Sequence, residues 1–257
     1  MERDFHLSQI PSNLSLPFEL IALQNATHYQ QWMIQSIKPY LGRRILELGA
    51  GIGNMSRWLA AADYLLLTEH DPQLLELLQA RLGLLFPNQA NIQVKTLDIA
   101  GQSFAEFAKD DFDTIVSFNV LEHIEDDASV IKKCAELLRA SHANGKKRLI
   151  TFIPAHPWAY GVMDKAVGHY RRYNQKMFKE LHQEITPEAT LTLKAFNFVG
   201  LWGWYLNGYI LRRKQAGSQM IGWVDKICPL LQWIDRLVID KLHIPLGQSL
   251  IAILEWS

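Results

Sequence analysis

The sequence predicts an α/β protein built on a doubly wound, largely parallel sheet. Three observations carry that reading. Short apolar runs alternate with helical patterns between positions 44 and 153, a glycine-rich turn follows the first run, and acidic residues end the next two. Such alternation implies right-handed crossovers, and open sheets of this kind bind ligands at the carboxyl ends of their strands.

The elements follow in order. Tyr29, Trp32, Met33 and Ile37 fall at helical spacings inside 12–41, and Pro39 and Gly42 punctuate the end of that helix. Strands are expected at 44–48, 64–68, 92–97, 112–118 and 148–153, with helices at 55–62, 72–85 and 128–138. Asp71-Pro72 is a helix start. After Pro154 the pattern changes. Residues 155–173 are aromatic and irregular, as in a loop or lid, and 177–184 reads as a helix. Strands at 191–199 and 248–255 flank an apolar, Trp-rich helical stretch at 200–243, which predicts a terminal antiparallel hairpin. Residues 195–211 lack charge and approach the length of a membrane span, but Asn197, Asn207 and three glycines favour a buried strand followed by a helix.

Composition bounds the function. The chain has 257 residues, 26 Lys+Arg against 26 Asp+Glu, and 49% hydrophobic residues. A core of ordinary size is affordable, and the global positive field that accompanies non-specific nucleic-acid binding is absent. The zero is a sum of opposites: nine acids and one lysine over 98–127, then eight Lys+Arg and one Asp over 146–179. Cys134 and Cys228 make no CxxC pair and sit in apolar runs, so they read as buried thiols. The first residues lack the basic start and apolar run of a signal peptide, and a cytoplasmic protein is the expectation.

The sharpest motif is Glu47-Leu48-Gly49-Ala50-Gly51-Ile52-Gly53-Asn54. Glycines at a strand-to-helix turn let the backbone approach a ligand. A dinucleotide fingerprint would need a third glycine at position 54, which is Asn54. Glu69 lies 18 residues after Gly51 at a strand end, where an acid can accept from both ribose hydroxyls; a solvated loop acid is the alternative. Asp98 ends the third strand, placed for an adenine amino group with Ile99 flanking the ring, or for capping the segment that follows.

With the run Phe112 to Ile124, and within it Asn119-Val120-Leu121-Glu122-His123-Ile124, the chain resembles the class I S-adenosylmethionine-dependent methyltransferases. Tyr29, Trp32, Pro154-Ala155-His156-Pro157, Gly168-His169-Tyr170-Arg171-Arg172-Tyr173 and the segments around Asn197 and Asn207 resemble one bacterial subgroup, members of which occur alone or joined to family 2 glycosyltransferases; no glycosyltransferase segment is present here. Ala143-Asn144-Gly145 departs from that subgroup's Pro-Gly-Gly turn. The resemblance implies a Rossmann-like, doubly wound, seven-stranded sheet with an antiparallel last strand. It implies one methyltransferase domain, with an N-terminal helical segment (1–42), a core (43–199 and 246–257) and a helical cap (200–245). It implies S-adenosylmethionine as cofactor and S-adenosylhomocysteine as product. Glu47, Gly49, Gly51 and Gly53 would shape the methionine pocket, with Glu69 on the ribose, Asp98 and Ile99 at the adenine, and Asn119 beside the methionine.

The acceptor is a small or lipid- or sugar-linked molecule on this reading. Tyr160, Asp164, Arg171, Arg172 and Tyr173 crowd after the fifth strand as substrate candidates, although paired arginines also serve internal ion pairs. His169 is the favoured base and His123 a second candidate, each with a structural alternative. No local spacing of histidines or cysteines supports a metal. Trp202, Trp204, Trp223 and Trp233, with Tyr205, Tyr209 and Arg212-Arg213-Lys214, form a segment that packs on the sheet, covers an amphiphilic acceptor, meets a membrane surface or makes a homodimer face. A non-catalytic cofactor-binding protein and a nicotinamide-dependent oxidoreductase are the competing functions. A base-flipping nucleic-acid enzyme is set aside because an Asn-Pro-Pro-Tyr loop is missing.

Overall fold

In a computed structural model, described here for residues 18–24, 26–87, 90–213 and 218–257, the sheet has seven strands. The expected helix start over 12–17 and the basic Lys214 lie outside the described residues. The strands are β1 (Arg44–Leu48), β2 (Tyr64–Glu69), β3 (Ile92–Thr96), β4 (Thr114–Phe118), β5 (Lys147–Pro154), β6 (Thr190–Phe196) and β7 (Ser249–Trp256), in the order β3-β2-β1-β4-β5-β7-β6. β1 to β5 run parallel, and β7 inserts antiparallel between β5 and β6. The terminal hairpin is therefore present, with residues 197–248 as its connection.

Strand order reverses between β1 and β4, which opens a crevice at their carboxyl ends. Both faces of the sheet are covered. Leu46, Leu66, Ile115 and Leu254 pack with the helix α4 (Asp127–Ala140), whose Ile131, Cys134 and Leu138 are buried. On the other face Ile45, Leu65, Val116 and Ile253 meet Trp32, Met33 and Ile37 of α2 (Thr27–Ile37). Period-two alternation along β1 sends Ile45 and Glu47 to one side and Leu46 and Leu48 to the other.

Helix starts obey local chemistry. Asp71 caps α3 (Pro72–Leu85), its Oδ1 accepting from Gln73 N at 2.8 Å and Leu74 N at 3.1 Å. Asn174 caps α6 (Gln175–Ile185) through Met177 N at 2.9 Å, and Asn197, left-handed (φ 63°), ends β6 and caps α7 (Phe198–Trp204) through Gly200 N at 2.8 Å. The strand expected to reach 199 therefore stops at Phe196.

Two further expectations are corrected. The helix at 55–62 is a single 3₁₀ turn, Ser56–Leu59, closed by Ala62 N to Leu59 O at 3.0 Å; few residues separate the glycine turn from β2. The N-terminal helix is two pieces, α1 (Phe18–Gln24) and α2, because Gln30 Nε2 reaches back to the α1 carbonyl of Leu23 and the chain bends at Ala26.

Cys134 and Cys228 are both buried, and burial pushes both thiols up, that of Cys228 to about 11. Native protein at pH 8 is expected to show no titratable thiol on the minute scale with an aromatic disulfide reagent and two after denaturation. Fast native labelling of either cysteine would contradict this packing.

Candidate active site

The glycine turn begins where β1 ends. Gly49, Gly51 and Gly53 have φ of 65°, 56° and 82°, values that L side chains adopt at a cost. Space is equally restrictive: a Cβ at Gly49 would lie 2.8 Å from Val120 Cγ2, and one at Gly51 would lie 3.0 Å from Leu20 Cδ2. The turn is thus lined by the loop after β4 on one side and by α1 on another. Asn54 Nδ2 donates to Leu20 O at 2.8 Å and holds α1 in place.

Two carboxyl groups lie under this turn. Glu69, 6% exposed, accepts from Gly51 N at 2.8 Å through Oε2, and from His70 N and Asp71 N through Oε1. It ties the end of β2 to the glycine turn. Glu47, 2% exposed, has an Oε2 that is buried without a hydrogen-bond partner. Burial pushes its carboxyl from its ordinary 4.5 up to about 8; the Ser56 hydroxyl pulls it down and the Glu69 charge pushes it further up. Glu47 is therefore mostly protonated at neutral pH.

Asp98 lies after β3 and is exposed; its Oδ1 accepts from Ala100 N at 3.0 Å and Gly101 N at 3.1 Å, and these backbone bonds, Gly101 first, hold its carboxyl below the usual range. Ile99 beside it is buried. Asn119, at the end of β4, is exposed with φ of 54°, its N bonded to Phe152 O at 2.9 Å.

The loop after β5 folds back on the strand through Tyr173 N to Pro154 O and His156 N to Tyr173 O. Asp164, fully buried on α5 (Val162–Ala166), is its hub. Its oxygens meet Gly161 N at 2.9 Å, His169 Nδ1 at 2.9 Å, Arg172 Nε at 2.7 Å and Trp204 Nε1 at 3.2 Å. Burial raises its pKa, but the His169 bond, the Arg172 charge and the backbone bond outweigh this and hold it low. His169 Nε2 then points toward Glu122, 3.8 Å from Oε1, and its ring meets the His123 ring edge-on at 4.7 Å. Burial and the His169 charge push the His123 imidazole down to about 4.

The acidic stretch after β4 and the basic stretch after β5 do meet. Arg171 Nη1 reaches Asp127 Oδ1 at 2.8 Å, and Tyr173 donates to Asp127 Oδ2 at 2.6 Å. Arg172 is 2% exposed and also donates to Ala155 O. Tyr160 donates to His169 O at 2.7 Å. Among the substrate candidates, Arg171, Arg172 and Tyr173 spend their donors inside the protein. Sequence reasoning missed Trp204, which joins the Trp-rich segment to Asp164 and stacks under Arg172 at 4.8 Å, and Asp127, whose partners lie far along the chain. It also missed the triad Glu122, His123 and His169, whose ligand atoms lie within 4.8 Å of one another and could hold a metal ion.

A family model described as a methyltransferase domain matches residues 46–141. The ubiquinone biosynthesis O-methyltransferase of Ralstonia nicotianae is 26% identical over 150 residues, covering 54% of this chain and 60% of that protein. That of Aeromonas salmonicida is 28% identical over 156 residues, covering 61% and 62%. The chain thus spans about 60% of the length of the curated relatives it matches. An S-adenosylmethionine-dependent methyltransferase from Mesorhizobium loti shares the fold, with a TM-score of 0.59 at 13% identity over 90% of this chain and 100% of the other. Another from Archaeoglobus fulgidus aligns with a TM-score of 0.55 at 11% identity, covering 93% and 98%. Sheet order and fold are thus those of the solved S-adenosylmethionine-dependent methyltransferases, and the sequence similarity to a methyltransferase domain is confined to one segment. Residues 46–141, from β1 through α4, are the part that the methyltransferase family describes.

The buried Glu47 has a stability signature. In the folded chain it keeps its proton up to about pH 8, in the unfolded chain only to about its ordinary 4.5, so folding stability falls as pH rises between those values. Glu47→Gln lacks this penalty. Its melting temperature, without cofactor, should exceed that of the wild type by several degrees at pH 8, a gain on the order of a few kcal/mol, and by little at pH 4.5. Equal melting at pH 8 would contradict the buried neutral acid.

Proposed function

We propose that the protein transfers a methyl group from S-adenosylmethionine to a hydroxyl oxygen of a small or amphiphilic acceptor. The observation that carries this reading is Glu47 Oε2, buried and unpartnered beneath a turn of left-handed glycines. A cationic amino group supplies the partner that this oxygen lacks, and the left-handed glycines give the tight turn that brings Val120 and Leu20 against the backbone beside it. The residues present therefore fit the amino-acid end of the cofactor. Glu47 holds the amino group, Glu69 the ribose hydroxyls, Asp98 the adenine amino group with Ile99 against the ring, and the Asn119 loop the methionine chain. When bound, S-adenosylmethionine supplies a methyl carbon already activated by its sulfonium. The chain's own task is alignment of the acceptor and removal of its proton. His169, oriented by Asp164, takes that proton, with His123 at the mouth and Tyr160 fixing the His169 backbone. The sequence-based substrate role of Arg171, Arg172 and Tyr173 gives way to a structural one, since their donors are already engaged. The hydroxyl acceptor rests on the curated relatives, which are named as O-methyltransferases.

Calorimetry with S-adenosylmethionine and S-adenosylhomocysteine tests the assignment. Both should bind the wild type, and Glu47→Gln and Glu69→Ala should each weaken binding at least about tenfold, hydrogen bonds to charged groups being worth about 1.5–3 kcal/mol. Undiminished binding by either variant would remove that residue from the site.

One observation favours a second form of the same chemistry. The Glu122–His123–His169 set suits a divalent cation that would bind and acidify the acceptor hydroxyl, with Asp164 orienting His169 from behind. Chelation followed by gel filtration should then abolish methyl transfer to a catechol or phenol acceptor, and Mg²⁺, Mn²⁺ or Zn²⁺ should restore it. Full activity after chelation leaves His169 as the base without a metal.

A further inference from the structure

The helical segment between β6 and β7 wears its apolar residues on the outside. On α7 and the π-helical turn that follows (Tyr205–Ile210), Leu201 and Asn207 point inward, while Val199, Trp202, Leu206, Tyr209 and Ile210 face solvent. Spacings of three or four residues put the outward set on one side. The same holds from α8 (Ser218–Lys226) through α9 (Cys228–Asp235) into a second π-helical turn, Arg236–Lys241. There Cys228, Leu231 and Asp235 are buried, and Trp223, Ile227, Leu230, Trp233 and Leu237 are exposed. Trp223 is 68% exposed and Trp233 59%, far beyond what water-facing helices tolerate for their largest apolar residue. Trp158, from the loop after β5, lies against Trp202 and Tyr205 and extends the patch. Elsewhere, among the described residues, only Leu84 and Tyr170 are large exposed hydrophobics.

Charge follows the same reversal. Asp225 turns inward to Tyr29 N and His28, and Asp235 to Asn197 N at 2.6 Å and Phe198 N at 2.8 Å. Arg212, Arg213, Lys226, Arg236 and Lys241 remain exposed, against Asp240 as the one exposed acid among the described residues of 198–243. The Lys226 ammonium lies over the Trp223 ring, 5.6 Å from its centroid.

We propose that this face docks in the interfacial layer of a bilayer that carries anionic lipid. Exposed Trp and Tyr with flanking cations are the side chains that such an interface selects. No helix among the described residues is long and apolar enough to cross a membrane, so the segment lies on the surface. A second copy of the chain is the poorer occupant, because an isologous contact would bring the two sets of cations together. Docking also has a local consequence. Trp204 bonds Asp164, and the Gly161 Cα approaches Gly208 so closely that a Cβ there would lie 2.7 Å from Gly208 O, so the docked segment is fixed to the loop bearing His169. Docking of this face does not require the methyl-transfer chemistry.

The test is flotation of the full chain with vesicles of phosphatidylcholine alone and of phosphatidylcholine with phosphatidylglycerol, beside size-exclusion light scattering. The wild type should float with the mixed vesicles, bind the neutral ones roughly tenfold less, and detach at high salt. Trp202→Glu with Trp233→Glu should lose at least about tenfold in partitioning, each tenfold being about 1.4 kcal/mol, with circular dichroism and S-adenosylhomocysteine affinity unchanged. Arg212→Glu with Arg236→Glu gives a second variant that leaves the apolar stripe intact and should lose only the preference for anionic vesicles. Absence of wild-type flotation on either vesicle, or flotation unaltered by both variants, overturns the proposal. So does a concentration-dependent dimer that the tryptophan variant abolishes without any vesicle binding, which would make the face a contact between copies.

Discussion

Glu47 lies near the end of β1 with one oxygen buried without a hydrogen-bond partner, and the glycine turn and Glu69 meet at that same end of the sheet. Placing a carboxyl group in the core costs several kcal/mol unless it is neutral or paired. This chain keeps it neutral by burial near the end of β1, next to the turn of left-handed glycines. Parallel strands bring Glu69 beside it, and Glu69 in turn holds Gly51 N. A carboxyl poised to ionise when a cation arrives makes ligand binding and proton loss one event. The burial cost in the free protein is recovered only by the right partner, which is how a site gains selectivity for a positively charged ligand.

A second polar centre organises the loop after β5. Asp164 collects an imidazole, a guanidinium, an indole and a backbone N–H, so one carboxylate fixes the loop after β5, the direction of His169 and the seat of the Trp-rich helices. Networks of this kind are stable only when every member is satisfied, which explains why Arg172 is buried and not available to an external anion. Two neighbouring histidines then differ in character. His169 is held between Asp164 and Glu122, whereas His123 has an imidazole pushed down to about 4 and stays uncharged at neutral pH.

Much of this was legible in the sequence for identifiable reasons. The apolar runs and the Asp71-Pro72 start are local signals, and the structure has the corresponding strands and helix within a residue or two, except β6, which stops three residues short of 199. Glycine spacing and the strand-end acids mark the crevice because parallel strands necessarily align their carboxyl ends. The 3₁₀ turn at Ser56–Leu59 was not legible, since the residues there have helical spacing and only the short distance to β2 prevents a helix. Nor was the pairing of Asp164 with Trp204 or of Asp127 with Tyr173, because such bonds are created by the return of a loop and a helical segment over long separations. Pairing of arginines in sequence was compatible with an external anion or with internal ion pairs, and their partners are acids supplied by α4 and α5.

The central claim is that Glu47 is a neutral acid waiting for a cation. Calorimetric titration of S-adenosylhomocysteine at pH 7, in two buffers of different ionisation enthalpy, measures the protons exchanged on binding. With the Glu47 carboxyl at about 8 before binding, the account predicts release of about one proton, lost in Glu47→Gln. Binding with no proton release in the wild type, or with the same release in the variant, would contradict it.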